Sequence, residues 1–445
     1  MSLMTASIAA ARLNSVASLA KASSTGLVLA VLLATGSVAT PARAQRSASD
    51  SARAAADSLA TRLRRAEAAI ALLQQQLGDQ ASTGVSTRSR MQLELAGRVL
   101  VHAFRNDRRV NNADDPQFVR PDSATMLPVE ALGLAIRQTT LGLVVTSRDV
   151  LGGRFVGDLD VDFYGGQQPS SGGRTFPLLR IRTARGAVKW TNGEFMIGQE
   201  SPLIAGLDPV SPAAIGTPGF VTAGNLWLWL PQLRASVETG GPLNFGLQAA
   251  VLASTTGEAV GLFDTDADAA ERSGRPATEA RVRVRWGADD HPSEIGCGGH
   301  LAWIAVPGSR ARTDALACDA RVVLGPLELR GEAYTGSGLR GLGGGGISQN
   351  LARSGSPLED SGGWGQVNLE AHRLVRLGAG CGVDEPQESG VSEGGRLRNQ
   401  SCAGYTIIRP AGPLFLGAEV RQIQTRYASG TRSNNHINLS FGFEF

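Results

Sequence analysis

Beyond its first 44 residues, the chain has no hydrophobic run long enough to form a transmembrane helix. The longest apolar runs in that part, such as Leu226 to Leu230, are a few residues long, whereas a spanning helix needs about 20 apolar residues. The chain also lacks a charge excess of either sign, because 43 Lys and Arg face 40 Asp and Glu for a net charge of +3. This balance gives no reason to expect nucleic acid binding.

Signals of enzyme chemistry are also scarce. The five histidines are scattered, and none forms an i, i+4 pair or lies beside a cysteine at metal-site spacing, so we expect neither a metal nor a cofactor. They are His102, His291, His300, His372 and His436. No G-x-S-x-G nucleophile elbow stands out. Gly341 to Gly346 (GLGGGG) lacks the Lys and the strand–loop–helix context of a phosphate-binding loop, so we do not expect an enzyme.

What is present begins with a segment typical of a cleaved secretory signal, residues 1–44. Arg12 and Lys21 supply its positive part, Leu27 to Leu33 (LVLAVLL) its apolar run, and Ala42-Arg43-Ala44 its peptidase site. Gln45 is then the first mature residue. An N-terminal membrane anchor is the alternative, but the apolar run is too short to span a bilayer.

Residues 45–80 predict a periplasmic coiled coil, followed by a polar linker at residues 81–90. Small or apolar residues recur at alternating steps of three and four, which is a heptad seam. The seam consists of Ala52, Ala56, Leu59, Leu63, Ala66, Ile70, Leu73 and Leu77. A lone amphipathic helix is the alternative, although regular spacing over almost four heptads favours an oligomeric seam.

From Met91 onward the hydrophobic period changes to two, which predicts β-strands. In His436 to Phe445 (HINLSFGFEF), apolar residues occupy one face and polar residues the other. Other segments pair an apolar face with a charged one, and there is too little two-sided apolar sequence to cover such a large sheet from both sides. The arrangement that fits is an antiparallel β-barrel in a membrane, with apolar residues facing lipid and charged residues facing water.

Sixteen strands can be counted between residues 91 and 445, and their connections alternate in length. Long connections are expected to begin near residues 105, 165, 201, 254, 307, 336, 384 and 428. Short turns lie between them, for example Gly325-Pro326. Short periplasmic turns and long outer loops are typical of such barrels, and an even strand number places both barrel ends on the periplasmic side. The predicted fold is therefore all-β, a transmembrane antiparallel barrel of about 16 strands preceded by a coiled-coil helix.

The order of signal, short periplasmic coiled coil, sixteen-strand barrel and terminal Phe resembles trimeric outer-membrane porins of the DcaP-like type. The similar segments are Leu179 to Trp190 (LRIRTARGAVKW) with Gly198-Gln199, Leu377 to Pro386 (LGAGCGVDEP), Gly417 to Tyr427 (GAEVRQIQTRY) and the final strand. The likeness covers most of residues 50–445, with Cys381 where an aromatic residue is common. It implies a homotrimer in outer-membrane lipid, and it implies that the barrel-assembly machinery reads Phe445.

A selective porin needs a wide lumen and a segment that constricts it. A sixteen-strand barrel is wide enough for an aqueous channel, and lumen charges then set selectivity. Ser201 to Asn225 is the candidate constriction, because four prolines stiffen it and four glycines let it fold tightly. An ordinary outer loop is the alternative. We expect diffusion of small hydrophilic solutes, anions among them, with a structural envelope barrel or a barrel-embedded hydrolase as alternative functions.

The charged faces supply the candidate pore-lining residues. They are Asp158, Asp160, Asp162, Arg180, Arg182, Arg281, Arg283, Arg285, Glu328, Arg330, Glu332, Glu419 and Arg421. Two interpretations stay open for each of them. Opposed ladders can orient dipolar solutes across the lumen, or strand neighbours can neutralise one another and only stabilise the wall.

Four cysteines lie late in the chain, in two pairs with equal spacing: Cys297 and Cys318, and Cys381 and Cys402. A secreted chain meets an oxidising periplasm, so an even number permits disulfides. If Val383 stands opposite Gln400, antiparallel register places Cys381 opposite Cys402. The Cys297–Cys318 pair needs a much tighter turn at Pro307-Gly308. Four free, lipid-facing thiols are the alternative.

Overall fold

A computed structural model describes residues 85–86, 91–121, 129–166, 177–257, 266–288, 290–343 and 345–445. The predicted signal and coiled coil, and most of the linker, lie outside these residues. The chain divides into two units, Met1–Glu94 and Leu95–Phe445, and of the first the structure describes residues 85–86 and 91–94. In the first unit, the two-residue strand Val85–Ser86 pairs antiparallel with Leu93 and Gln92.

The strands between residues 92 and 444 form a closed antiparallel sheet of sixteen strands, which confirms the predicted barrel. The strands are β1 Gln92–Asn106, β2 in two segments (Ala131–Ala135 and Thr140–Val150), β3 Gly153–Asp162, β4 Arg180–Lys189, β5 Gly193–Glu200, β6 Leu230–Glu238, β7 Leu243–Leu252, β8 Ala277–Trp286, β9 Ser293–Val306, β10 Ser309–Leu324, β11 Leu327–Ser337, β12 Glu359–His372, β13 Val375–Pro386, β14 Arg398–Ile408, β15 Leu414–Tyr427 and β16 Gly430–Glu444. Each strand pairs with the next in sequence, and β16 pairs with β1 to close the ring, Ser440 lying opposite His102.

Helix is confined to single 3-10 turns in the part of the chain that the structure describes. These turns are Leu203–Ala205, Glu271–Ser273, Leu339–Gly341, Gly346–Ser348 and Glu388–Gly390. None of the described helices is long and apolar enough to cross a membrane.

Side chains alternate between the two faces of the wall. On β15, Phe415, Ile423 and Thr425 point inward and are buried, whereas Leu416 and Val420 point outward and are exposed. Large apolar side chains are exposed in the same way on most of the other strands. An apolar exterior around a polar interior is the pattern of a barrel that faces lipid.

The second strand is interrupted between its two segments, which both pair with β1. Ile136 to Thr139 form a turn closed by a hydrogen bond from the Thr139 N–H to the Ile136 carbonyl. The turn puts Arg137 and Gln138 side by side in the buried interior. Gln138 is one of the side chains that position the candidate site.

Two of the predicted long connections are wrong. The structure has two-residue turns at 307–308 and 428–429, where Val306 pairs with Ser309 and Tyr427 with Gly430. The polar residues after each turn, such as Arg310 and Arg312, suggested loops but belong to long hairpin strands. Gly308, within the first turn, and Gly430, directly after the second, adopt positive φ angles of 73° and 116°, which favour such tight reversals.

Candidate functional site: the barrel interior

The connection between β5 and β6, residues 201–229, lies inside the barrel, and we call it the inner loop. The segment that the sequence singles out as a constriction, Ser201 to Asn225, makes up most of it. Its residues are almost all buried. It is held by hydrogen bonds with inward-facing side chains of five strands and of the turn that interrupts β2. The contacts are Glu279 and Arg281 with Leu203, Arg330 with the Asp208 carbonyl, Gln366 with Val210, Glu419 with Ser211, Gln138 with Ile215 and Gly216, Arg180 with Gly216, and Glu332 with Leu226.

Apolar packing holds the inner loop against the wall. Ile204 and Leu226 pack with Tyr334 and Leu339. On another side of the interior, Ile215 packs with Phe415 and its neighbours. The apolar core of this protein therefore lies between the inner loop and the barrel wall. Each Å² of apolar surface that this packing removes from water stabilises the fold by about 25 cal/mol.

Glycine residues on both the inner loop and the wall permit a close approach of the two backbones. Gly224 has a φ of 98° and lies against the backbone of Gly363 and Val383. Gly382 faces the inner loop, and a Cβ at that position would overlap the Ala223 carbonyl. Because neither position has a side chain, the loop can lie directly on β12 and β13.

The aspartates of β3 are paired with arginines of β4. Asp158 lies 2.6 Å from Arg185 and Asp162 lies 2.6 Å from Arg180. Asp160 has a longer contact of 3.6 Å with Arg182. Five candidate pore-lining residues thus meet one another or a neighbouring arginine on the wall.

The arginines of β8 are paired with three carboxylates. Arg281 lies 2.7 Å from Glu294 and 2.8 Å from Asp319. Arg283 and Arg285 both contact Glu238, and each lies within 3.7 Å of Glu294. Three cations therefore face three anions, and this ladder carries no net charge.

The remaining candidates lie on β11 and β15. Glu328 accepts hydrogen bonds from Arg330, from Arg321 of the adjacent strand β10 and from Arg376 of β13, two strands away. Glu332 is buried and accepts the Leu226 N–H of the inner loop. Glu419 and Arg421 lie 2.7 Å apart, and Arg421 also reaches Asp115 of the first outer connection at 3.1 Å. Burial raises the pKa of the Asp115 carboxyl to about 7, although Arg421 opposes the shift.

Cations exceed carboxylates along one side of the interior, which we call the arginine arc. It consists of Arg98, Arg321, Arg330, Arg376 and Arg409, and they share Glu328 and Glu444, with Glu370 at the rim contacting Arg376. Sequence reasoning found only Arg330 among them. Three of the others, Arg98, Arg376 and Arg409, are each two residues away from an inward-facing residue, namely Leu100, Gly378 and Ile407. The alternation of side chains along a strand was therefore the signal that could have identified them.

Comparison with solved structures gives the fold a name. The chain is similar to the outer membrane channel DcaP of Acinetobacter baumannii, with 17% identity and a TM-score of 0.62 over 82% of this chain and 100% of that one. An anion-selective porin from Comamonas acidovorans gives 13% identity and a TM-score of 0.53 over 80% and 100% of the chains. Salmonella typhi OmpF, solved in complex with daunomycin, gives 10% identity and a TM-score of 0.50 over 81% and 100%. No protein-family model matches the chain, and no curated protein matches it by sequence.

The chain has the porin fold. In this porin fold the inner loop is the third outer connection, counting those at 107–130 and 163–179 as the first two. At the outer end, further connections line a cavity of about 550 Å³. Phe118, Arg340, Ile347, Arg396 and Tyr427 are among its lining residues.

Both cysteine pairs of this chain are disulfides, and both lie on the outward face of the barrel wall. Cys381 is opposite Cys402, and Val383 is opposite Gln400, which is the register considered from the sequence. Cys297 is opposite Cys318, on two strands joined by the tight turn at Pro307 and Gly308.

Phe445 lies where the last strand of the barrel, β16, meets the first strand, β1. Its backbone exchanges hydrogen bonds with Gly97, 2.9 and 3.0 Å long, and its ring lies beside that of Phe443. Its side chain is 56% exposed on the outward face. The structure places the residue where an assembly factor could reach it, and its recognition stays a prediction.

One match to the nucleophile-elbow pattern escaped the sequence reasoning: Gly390 to Gly394 (GVSEG). Ser392 of this match is exposed in the outer connection between β13 and β14, and no helix follows it. A nucleophile elbow needs a strand before the serine and a helix after it. Among the described residues, no group of three or more His, Cys, Asp or Glu is arranged to hold a metal ion.

Proposed function

We propose that this protein is an outer-membrane porin, a water-filled channel through which small hydrophilic solutes diffuse passively. The observation that carries the proposal is the state of the inward-facing charges. They are enclosed by a complete barrel, yet the side chains of Asp160 and Arg185, which lie within β3 and β4, keep 25% and 21% of their solvent exposure. Charges that remain hydrated inside a closed wall imply water in the lumen.

Within this proposal the channel prefers anions. The arginine arc has more cations than carboxylates, whereas the ladders of β3 and β8 are balanced by their neighbours. Arginine keeps its charge at any pH of interest. A lumen lined with an excess of one sign concentrates mobile ions of the other sign. One protein of the same fold is described as an anion-selective porin, and this supports extending that preference to the present chain.

Single-channel recording in planar lipid bilayers tests the proposal. The purified protein should produce discrete conductance steps, and the zero-current potential in a salt gradient should have the sign of an anion-preferring pore. Changing Arg376→Gln together with Arg409→Gln should reduce this preference. Arg105→Gln is the matched control, because Arg105 is exposed on the outward face beside Glu130.

The results separate the candidate functions. Absence of conductance would contradict the pore and favour a structural envelope barrel. Conductance with an unchanged potential in the double variant would keep the pore and remove the arginine arc from its selectivity.

We also propose that the protein assembles as a homotrimer through the coiled coil of residues 45–80. The heptad seam and the family resemblance support this assembly. Removing residues 46–80 should weaken the oligomer and leave the barrel folded. Mass measurement in mild detergent checks this, and a monomeric intact protein would contradict it.

Recognition of Phe445 by the barrel-assembly machinery is a further part of the proposal. Phe445→Ala should lower the amount of folded protein in the outer membrane without changing single-channel conductance. Surface levels equal to those of the unmodified chain would count against it.

A further inference from the structure

Asp208 is the only charged residue of the inner loop. The other residues between Ser201 and Trp229 are apolar, small or neutral polar. The loop therefore brings one carboxylate into the barrel interior, among charges contributed by the wall and by the first outer connection. Asp208 lies outside the strands, so the alternation of inward and outward side chains along a strand could not have identified it.

The backbone around Asp208 is fixed from the wall. The Asp208 carbonyl accepts a hydrogen bond from Nη1 of Arg330, 2.7 Å long. Two residues later, the Gln366 amide binds the N–H and the carbonyl of Val210, at 2.8 and 2.7 Å. The Ser211 hydroxyl then donates to Glu419. These contacts come from β11, β12 and β15, and they hold the loop without using the Asp208 side chain.

The Asp208 carboxylate itself makes no hydrogen bond and no ion pair with any described residue, and the residue is half-buried. Two cations of the wall lower the pKa of this carboxyl group: Arg182 of β4, whose guanidinium lies 4.9 Å from the ring of Trp229 of the same loop, and Arg330 of β11. These strands are seven positions apart in a ring of sixteen, so the two arginines approach the carboxylate from opposite sides of the lumen.

Arg182 has hydrogen-bonding capacity to spare. Its side chain is 7% exposed, and its Nε and Nη1 atoms have no hydrogen-bond partner. The nearest carboxylates, Asp160 and Asp162, lie 3.6 and 3.9 Å from Nε, beyond hydrogen-bonding distance. Unsatisfied donors on a buried cation are costly, and an arriving carboxylate would satisfy them.

We propose that Arg182, Asp208 and Arg330 form a subsite for zwitterionic solutes that carry a carboxylate and an ammonium group close together, as free α-amino acids do. The inference rests on the proposed pore. A simple anion is attracted by the two arginines and repelled by Asp208. A simple cation is attracted by Asp208 and repelled by the two arginines. Only a zwitterion finds a partner for each of its charges, with its carboxylate toward the Arg182 donors and its ammonium group toward Asp208.

Three solutes of nearly the same size test the subsite: alanine, lactate and alaninamide. Alanine carries both charges, lactate only the carboxylate and alaninamide only the ammonium group. Uptake into vesicles containing the full-length protein should be several-fold faster for alanine than for either of the others. Asp208→Asn should remove this advantage and raise lactate uptake, while Asp208→Glu should retain it.

Glu130→Gln is the control for loss of one negative charge, because Glu130 is exposed and lies against Arg105 on the outside. It should leave the order of the three solutes unchanged. Asp208→Asn keeps the size of the side chain and removes no hydrogen bond. Its heat stability should therefore be no lower than that of the unmodified protein, so a change in uptake would not reflect misfolding.

The alanine advantage should also depend on pH. Burial raises the pKa of Asp208, with Glu200 acting in the same direction and Arg182 and Arg330 acting against it. As the pH falls through this pKa, the carboxylate is neutralised and the advantage should disappear. Asp208→Asn should show no such pH profile.

The outcomes separate the subsite from the pore. Ion conductance with equal alanine and lactate uptake, or with an alanine advantage that survives Asp208→Asn, would overturn the subsite and leave the pore standing. Absence of ion conductance would overturn both.

Discussion

The guanidinium group of Arg281 on β8 reaches across the neighbouring strand β9 to Asp319 on β10, with 2.8 Å between Nη2 and Oδ1. Gly296 makes this contact possible. It lies on β9 directly opposite Asp319, and a Cβ there would occupy the place of the Arg281 guanidinium. The same guanidinium donates to the Leu203 carbonyl of the inner loop, at 3.2 Å. One arginine thus ties three strands to the loop.

Gly296→Val should therefore loosen the inner loop. Displacing Arg281 leaves the Asp319 carboxylate and the Leu203 carbonyl without this donor, and each loss costs about 1–3 kcal/mol. Limited proteolysis should show faster cleavage within residues 201–229, and the open-channel current should become noisier. Gly299→Val, on the outward face of the same strand, is the matched control, because a Cβ there has its nearest neighbour at 3.7 Å. Equal behaviour of the two variants would contradict the role of Gly296.

Replacing Arg281, Arg283 and Arg285 together with Gln should shift the zero-current potential toward cations. The ladder is neutral as it stands, so the effect comes from exposing Glu238, Glu294 and Asp319 rather than from losing free cations. A variant that also carries Glu238→Gln, Glu294→Gln and Asp319→Asn restores the balance. It should return the potential to that of the unmodified channel, and a persistent shift would refute this explanation.

Removing either disulfide should lower the free energy of unfolding by about 3 kcal/mol, because each closes a loop of the same 21-residue separation. The Cys381→Ala/Cys402→Ala and Cys297→Ala/Cys318→Ala variants should lose similar amounts in urea titrations in detergent. Thiol counting on the unfolded, unreduced protein should find no free thiol. Two or four reactive thiols would show that one or both bridges are absent.

Asp115 should lower the stability of the folded protein as the pH rises from about 4 to about 7. Burial raises the pKa of Asp115 to about 7, whereas an unfolded Asp titrates near 4. Between these values the folded state binds a proton that the unfolded state lacks, so this stabilisation is complete in acid and is lost as the pH approaches 7. Asp115→Asn should flatten the dependence of the melting temperature on pH.

The control for this titration is Asp107→Asn, at the start of the same outer connection, where the carboxylate binds Asn435 at the surface. This variant should keep the slope of the unmodified protein. An Asp115→Asn variant with an undiminished slope would assign the pH dependence to other groups.

Strand alternation was readable from the sequence because a barrel wall has only two faces. Apolar residues of period two predict the outward face, so the sixteen strands and the inward direction of Asp158, Arg281 and Glu328 follow from local patterns. The register of Cys381 and Cys402 also follows from a local argument, since one assumed pair sets all the others between two antiparallel strands.

The lengths of the turns were predicted less well from local sequence patterns. The polar stretches around residues 310 and 431 were predicted as loops because polar composition is common to loops and to hairpins that extend beyond a membrane. Only pairing across the hairpin distinguishes the two, and the structure shows that pairing at Val306 with Ser309 and at Tyr427 with Gly430.

A membrane-type barrel with charged residues inside could be predicted from the sequence alone, because alternation and connection length are properties of neighbouring residues. Which charges neutralise one another, and which do not, depends on the three-dimensional fold. Arg281 meets Asp319 from two strands away, and Asp208 enters the barrel on a loop with no alternating pattern. Both relationships depend on ring closure and on the path of the inner loop. These long-range features bring together residues that no local pattern relates.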